Sequence, residues 1–337
     1  MLAAQIELKK AEAIKRKLLE EEVLNPEYKP LRKGNFIYFP LVKKVKGITV
    51  VETSLKFPQK EKKLTVEDLL RGKLTPAEIK SIPHSQEVLG TIMILEIPKN
   101  LEKKENTIAQ AFLGAGHHIE TVVKKNTSYT GIFRTRKIKI LAGKKIKETI
   151  HPENGVRIML HLEDVYFSAR SGNERLRISK LVKKGEEVLV MFSGAAPFPL
   201  VIAKNSEAKK IYGIELNPDA HRYAERNVQL NKFEKRIVLY NGDVRKVIPK
   251  LKKKFDRIAM PLPQTSEKFL DIALPATKKG GAIHMYTFLS KEKITEEAKR
   301  IRKICQDLGY SVRIIRIIKC GQFSPGTFRI CFDIKVL

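Results

Sequence analysis

From Val165 onward the chain repeats one pattern, a short apolar run followed by a longer amphipathic one, and no other feature constrains the fold as tightly. The strand-like runs are Glu187 to Phe192, Lys210 to Glu215, Ile237 to Tyr240, Arg257 to Met260 and Ala282 to Tyr286. Helical periodicities over Phe198 to Lys204, Pro218 to Asn231, Val244 to Leu251, Lys268 to Ala276 and Thr295 to Leu308 separate and follow them. A helix between two strands carries the chain back to start the next strand in the same direction. The pattern therefore predicts a parallel sheet with helices on both faces. Val312 to Ile318 and Thr327 to Val336 have no helix between them and are expected to close the sheet as an antiparallel pair.

Two smaller segments precede this region. Residues 2 to about 22 read as an amphipathic helix with apolar Ile6, Leu8, Ala11, Ile14, Leu18 and Leu19, ended by Pro26 and Pro30. Strand-like runs follow at Phe36 to Val42 and Ile48 to Leu55, and Lys60-Glu61-Lys62-Lys63 reads as a linker. This makes an α/β module of residues 1–62. Thr65 then caps a helix from Val66 to Arg71, and Thr75-Pro76-Ala77-Glu78 repeats the signal. Beyond it come a strand (Val88 to Ile97), a helix (Thr107 to Gly114), a strand (Thr121 to Lys124) and strands around Phe133 to Ile140 and Glu148 to Ile150. His151-Pro152-Glu153-Asn154-Gly155 reads as a turn before a strand from Val156 to Leu162. The expected boundaries are 63–158 for this middle α/β domain and 159–337 for the alternating one.

Lys and Arg number 66 against 37 Asp and Glu, a formal charge of +29. Such an excess repels itself unless a polyanion relieves it, and its spread along the chain implies a broad surface facing a phosphate backbone. A Lys-rich surface adapted to heat is the alternative, although such adaptation raises both signs of charge together. No apolar run reaches the ~18 residues of a membrane helix, and the N-terminus lacks a signal-peptide core, so a cytoplasmic protein without membrane contact is expected. Cys305, Cys320 and Cys331 form no CxxC pair and no His-Cys cluster in the sequence; no metal site is expected, and buried free thiols are.

The sharpest motif runs from Val188 to Phe198, where an apolar strand enters a small-residue turn and a helix begins. Gly194 allows close backbone approach to a ligand, and the helix start presents unpaired N–H groups. Only part of the G-x-G-x-x-G pattern is present, which argues against a nicotinamide or flavin cofactor. Ile214-Glu215-Leu216-Asn217-Pro218 places a carboxylate at a strand tip, suited to ribose hydroxyls. Asn241-Gly242-Asp243, just before Val244, places another after the next strand, suited to an adenine amino group. Strand tips and helix caps often carry Asp or Glu, so either alone says little. The two together, one strand–helix unit apart behind the Gly194 turn, indicate a cofactor containing a nucleoside.

These stretches resemble the AdoMet loops of the archaeal and eukaryotic tRNA guanine-37 N1-methyltransferase family. Its members read like D-M-F-A-G-V-G-P-F where this chain has Val190-Met191-Phe192-Ser193-Gly194-Ala195-Ala196-Pro197-Phe198; Val190 replaces an acidic residue and Ala196 a glycine. The resemblance implies a Rossmann-like class I AdoMet-dependent methyltransferase domain, a mostly parallel seven-stranded sheet with a C-terminal antiparallel hairpin, behind smaller α/β RNA-binding domains. It implies S-adenosyl-L-methionine bound by Phe192, Ser193, Gly194, Pro197, Glu215, Leu216, Asn217, Gly242, Asp243, Val244 and Pro261, with Arg175 nearby. It also implies tRNA gripped at the elbow by the first module and supported at the anticodon loop by the second, by a monomer. Basic Arg32-Lys33 and Lys43-Lys44-Val45-Lys46 are candidates for phosphate contact or for simple solvation.

Upstream, Tyr166-Phe167-Ser168-Ala169-Arg170-Ser171-Gly172-Asn173-Glu174-Arg175 resembles the family motif Y-F-S-P-R-x-x-x-E-R, and Gly131-Ile132-Phe133-Arg134-Thr135-Arg136 through Leu141-Ala142-Gly143 matches a second stretch. By this resemblance Glu174 is the general base, Arg134 lies near the guanine carbonyl, and Tyr166 shapes the base pocket. The chemistry is consistent: guanine N1 keeps its proton at neutrality, so its methylation needs a base, and a cation near O6 stabilises the charge that develops. Glu174 also reads as a helix-surface residue pairing with Arg177 or Arg170, and Arg134 as a phosphate contact. Where the family shows M-N-L-P, this chain has Met260-Pro261-Leu262-Pro263; Pro261 and Pro263 are placed at the reacting base. Pro261 has neither a side-chain amide nor an N–H. A family branch with such prolines is associated with methylating both guanosine-37 and the tricyclic wyosine precursor made from it. The rivals are the wyosine-pathway aminocarboxypropyltransferase, which shares the fold, and a non-catalytic tRNA-binding protein.

Overall fold

The computed structural model of the protein describes residues 1–60, 64–82, 86–116, 118–126, 131–262 and 264–337. It divides into two units, Met1–Thr65 and Val66–Leu337. In the first, β1 (Leu2–Glu7), β2 (Leu31–Lys33), β3 (Phe36–Pro40) and β4 (Val50–Glu52) form an antiparallel sheet ordered β2-β3-β1-β4, with α1 at Ala11–Glu20. The helix expected over residues 2 to 22 is therefore shorter, and its beginning is instead a central strand. Ala4 and Ile6 alternate into the core with Leu18, Val23 and Phe39, and β1 bonds β3 on one side and β4 on the other. Two ladders and an alternating buried face outweigh the helical spacing, which holds only from Ala11 onward. The expected linker falls largely on residues 61–63, outside the described residues.

The second unit opens with α2 (Val66–Leu70) and α3 (Pro76–Lys80). Thr75 caps α3 as expected: its hydroxyl accepts from the Glu78 N–H, and the Glu78 carboxylate accepts from the Thr75 N–H at 2.8 Å. Then come β5 (Glu87–Leu89), β6 (Ile92–Leu95), α4 (Glu105–Ala115), β7 (Thr121–Lys125) and β8 (Ile138–Gly143), in a sheet ordered β5-β6-β7-β8 with only β6 and β7 parallel, joined through α4. The run Val88 to Ile97, expected as one strand, is the β5–β6 hairpin. Its Gly90 has φ +54°, and a Cβ there would lie 2.2 Å from Thr149 Oγ1. The strand expected from Phe133 begins only at Ile138, because Arg134 sits in a turn at φ +51°.

β9 (Glu148–Glu153) and β10 (Val156–His161) form a hairpin whose turn is Asn154-Gly155 alone, at φ +47° and +80°. His151, Pro152 and Glu153, expected in the turn, belong to β9. Val156, Ile158 and Leu160 are buried in the same core as Val188, Val190 and Leu200, so a boundary at 158 cuts through a strand that packs on the main sheet.

That sheet carries the expected alternation. Its elements are α5 (Gly172–Leu181), β11 (Glu187–Met191), α6 (Pro197–Asn205), β12 (Lys210–Glu215), α7 (Pro218–Leu230), β13 (Ile237–Asn241), α8 (Val244–Leu251), β14 (Phe255–Met260), α9 (Leu270–Ala273), β15 (Thr277–Ser290), α10 (Ile294–Asp307), β16 (Val312–Ser324) and β17 (Thr327–Val336). The strand order is β13-β12-β11-β14-β15-β17-β16; the first five run parallel, and β17 is antiparallel to both β15 and β16. Val188 and Val190 face one apolar layer and Leu189 and Met191 the other. Burial on both faces is what makes these strands continuous apolar runs, each fully buried aliphatic contributing ~1.5–3 kcal/mol. The order reverses between β11 and β14. In open sheets of this kind the ligand crevice lies at that reversal, outside the carboxyl ends of the strands.

Candidate active site

The loop leaving β11 is shaped by its backbone. Phe192, Gly194 and Ala196, alternate residues, all adopt left-handed φ of +56°, +56° and +65°. Glycine does so freely, whereas Phe and Ala are each strained by ~1–2 kcal/mol, a strain typical of ligand-holding segments. The surroundings enforce it. The Ser193 N–H donates to the Ile214 carbonyl (2.9 Å), the Ala196 N–H to the Ser193 carbonyl (3.0 Å), the Gly194 N–H to Glu215 Oε2 (2.7 Å), and Asn227 Nδ2 to the Ala195 carbonyl (3.1 Å). The Phe192 ring meets Phe269 edge-on at 4.9 Å. Pro197 opens α6, where its missing N–H is not needed.

The neighbouring strand tips complete a crevice edge. Glu215 Oε1 accepts from the Asn217 N–H at 2.8 Å. Burial raises the Glu215 carboxyl above its ordinary value, even though the N–H groups of Asn217 and Gly194 pull it down. Leu216 beside it is 46% exposed. Asn217 caps α7 through Asp219 N–H and donates Nδ2 to the Asp164 carbonyl, so its side chain is enclosed by protein. Asp243 caps α8 through the Arg245 N–H (2.8 Å), Gly242 donates its N–H to the Glu215 carbonyl (2.8 Å), and Val244 is buried. Pro261 follows β14 and is half-buried; the Ser266 hydroxyl donates to the Met260 carbonyl at 3.1 Å and closes that turn. Pro263 lies outside the described residues.

Gly194, Glu215, Gly242 with Asp243, and Pro261 thus stand at the carboxyl ends of β11, β12, β13 and β14. Buried Ser193 Oγ has no hydrogen-bond partner among the described residues. An unmet buried hydroxyl costs ~1–3 kcal/mol, and this one lies against Gly213 of β12. A turn without a side chain at Gly194 and a carboxylate at the next strand tip together fit a nucleoside.

On the other side of the Gly194 turn, the Arg134 guanidinium lies 4.8 Å over the Tyr166 ring. The Tyr166 carbonyl is 3.8 Å from where a Gly194 Cβ would stand. Residues far apart in sequence, Arg134 and Tyr166, therefore meet beside the strained loop.

Glu174 occupies the first turn of α5 and is 5% exposed. Its carboxylate accepts from Arg177 Nε and Nη2 and from the Tyr286 hydroxyl, each at 2.7 Å. Arg177 also donates Nη1 to Asp333 Oδ2 (2.7 Å), Asp333 Oδ1 is 2.6 Å from His284 Nδ1, and His284 Nε2 is 2.7 Å from Arg257 Nη1. Burial alone would raise the Asp333 carboxyl, but its bonds from His284 and Arg177 hold it well below the carboxylate range. Burial lowers His284 and pushes the Tyr286 phenol well up. Arg175 is buried: it donates to Glu153 Oε1 (2.7 Å) and the Ser168 carbonyl (3.0 Å) and lies over the Phe167 ring, bracing α5 against β9.

Arg177 is the helix partner expected for Glu174, although the pair is buried rather than on the surface; the motifs do not point to Tyr286, His284, Asp333 or Asn227. One signal was present: His284 and Asp333 are lone polar residues in apolar strands, and they prove to be direct partners across the β15–β17 ladder. That ladder also brings Cys331 beside them, with the three ligating atoms within 4.8 Å, a cluster invisible in the linear spacing of the cysteines. Arg177 and Arg257 already supply the positive charge there.

Three family models match in succession: the tRNA methyltransferase 5 N-terminal domain over residues 4–49, the TYW2 N-terminal domain over 66–146, and the TRM5/TYW2 methyltransferase domain over 149–313. The third opens within β9 rather than at 159. Trm5b of Pyrococcus abyssi, a tRNA (guanine(37)-N(1))-methyltransferase, is 34% identical over 99% of each chain, and its crystal structure matches with a TM-score of 0.73 over 100% of this chain and 99% of that one. A complex of aTrm5 with tRNALeu matches at 30% identity and a TM-score of 0.72 over all of both chains. Pyrococcus horikoshii TYW2 in complex with MeSAdo matches at 27% identity and a TM-score of 0.70, over 81% of this chain and 98% of that one. The chain belongs to the TRM5/TYW2 methyltransferase family.

Proposed function

We propose that the protein methylates N1 of guanosine 37 in tRNA, using S-adenosyl-L-methionine. The observation that carries this reading is the Arg134–Tyr166 stack beside the Gly194 turn, which sets a base-recognising pair against a nucleoside-binding loop. In the crevice the free lone pairs of Glu215 would accept ribose hydroxyls, Asp243 would serve the adenine amino group, Leu216 would offer an apolar face, and the Gly194 turn would leave room for the polar tail. The bound cofactor supplies a methyl group already activated on a sulfonium.

This chain's residues supply position and proton handling. Tyr166 packs against the target base, and Arg134 donates to O6 as charge develops there. Glu174 takes the N1 proton while the N1 electron pair forms the new bond to carbon. A carboxylate offers about four lone-pair sites; three are filled by Arg177 and Tyr286, and the fourth receives the proton. Arg175 acts from behind, keeping α5 in place. The +29 charge, with Arg32, Lys33, Lys43, Lys44 and Lys46 all exposed, serves the tRNA backbone, the first unit at the elbow and the β5–β8 region near the anticodon loop. No helix among the described residues is long and apolar enough to cross a membrane, and a cytoplasmic monomer is the accompanying proposal.

Pro261 favours a second substrate at the same site. Without an amide to select a plain purine edge, the pocket admits the tricyclic wyosine precursor for methylation at C7. The test offers AdoMet with tRNA bearing guanosine-37 or the demethylwyosine intermediate and weighs the product nucleosides. A methyl on both is expected. A methyl on guanosine alone removes the second substrate, an aminocarboxypropyl mass on the tricycle favours the rival transferase, and AdoMet affinity without turnover removes the enzymatic reading.

A further inference from the structure

We propose that Arg177, Asp333 and His284 form a buried positioning relay that sets the basicity of Glu174; the proposal rests on Glu174 being the base. The bonding order has one solution. A guanidinium only donates, so Arg257 Nη1 gives its hydrogen to His284 Nε2, and the ring must carry its own proton on Nδ1, pointing at Asp333. Arg257 is fixed in turn by Glu186 (2.8 Å) and the Leu181 carbonyl (2.6 Å). His284 and Tyr286 share one face of β15, with Cys331 and Asp333 opposite on β17. The relay therefore runs along the sheet from the start of β14 to the carboxyl end, where Glu174 lies.

Two carboxylates, 5% and 1% exposed, share the one guanidinium of Arg177. Arg257, itself bonded to Glu186, reaches them only through the ring of His284. Because Arg177 is shared, Asp333 competes with Glu174 for its positive charge. The groups facing Glu174 are Arg177 on its own helix, Tyr286 on β15, and Cys331 and Asp333 on β17; Cys320 of β16 faces Tyr286.

The two neighbours therefore push in opposite directions. Single-turnover methyl transfer to guanosine-37 tRNA is followed from acid to alkaline pH with full-length protein. Asp333→Asn leaves Arg177 wholly to Glu174: the acidic limb of the rate moves to lower pH by roughly one unit, and the plateau falls. Arg177→Met removes the cation, and the limb moves to higher pH; Arg177→Lys, which keeps the charge, returns it toward the original position. Limbs that stay put, or shift the same way in both variants, overturn the relay. Asp333→Asn keeps shape and hydrogen-bonding capacity and decides the matter if Arg177→Met does not fold. Glu174→Gln separates the two claims: full activity in that variant removes the base itself, whereas an inactive variant with unmoved limbs elsewhere removes only the relay.

Discussion

Two regions of the main sheet are built by different means. On the side of β11 and β12 the backbone does the shaping: three left-handed residues in five and a carboxylate held by two N–H groups. On the side of α5 and β17 side chains do it, through an unbroken run of charged and polar groups from Arg257 to Glu174. The backbone-built side suits a constant ligand, whose outline need only be matched. The charge-built side suits a group that must change its protonation during each cycle. The contrast predicts that variants on the second side alter rate, and variants on the first alter affinity.

The largest break in that division is expected at Arg134. Arg134→Ala should lower the single-turnover rate about 10²–10³-fold, as loss of a charge-stabilising donor does, with AdoMet affinity by calorimetry unchanged. A raised KM for tRNA at constant kcat would instead make Arg134 a phosphate contact. On the opposite side, Glu215→Gln should weaken AdoMet binding about 10–100-fold, the worth of a hydrogen bond to a charged group, and leave the rate at saturation nearly intact. The Glu215 carboxyl is raised above 4.5, so wild-type affinity should fall as pH drops through that raised value, and the Gln variant should show no such dependence. For the fold the sign is reversed. Burial favours the protonated carboxyl, so its stabilising contribution is full below the ordinary glutamate value and is lost as pH rises through the raised one.

Smaller effects sharpen the comparison. Tyr286→Phe removes one donor to the Glu174 carboxylate and should change the methyl-transfer rate about 10-fold, the lower end for a hydrogen bond to a charged group, with AdoMet affinity unaltered; a change confined to affinity would move Tyr286 to the other side. Ala196→Gly relieves ~1–2 kcal/mol of left-handed strain against ~0.5–1 kcal/mol of added chain entropy. Its melting temperature should change by no more than about 4 °C, and a large drop would show that the Ala196 methyl group is essential to packing.

The same division governs what was legible in the sequence. The strand tip, turn and helix start at Gly194, Glu215 and Asp243 are local patterns, and the alternation predicts the parallel strands and the closing antiparallel pair, though not the strand order. Arg177 and Asp333 meet across 156 residues, and nothing local announces that pairing. Glu174 stands in a motif, yet its partner Tyr286 is hidden as one aromatic in an apolar strand. At Leu2–Glu7 helical spacing and strand alternation coexist, and only the ladders to β3 and β4 decide between them. Arg134 reads as part of a strand because a left-handed arginine leaves no composition signal.

The measurement that bears most directly on the account is single-turnover methyl transfer to guanosine-37 tRNA by the wild-type protein and Glu174→Gln, with AdoMet and tRNA affinities measured in parallel. A general base makes a ~10²–10⁴-fold contribution, so the variant should lose about that much rate while both affinities stay near wild type. A variant within a few-fold of the wild-type rate would mean that the N1 proton leaves by another route, and that the charged region is scaffold.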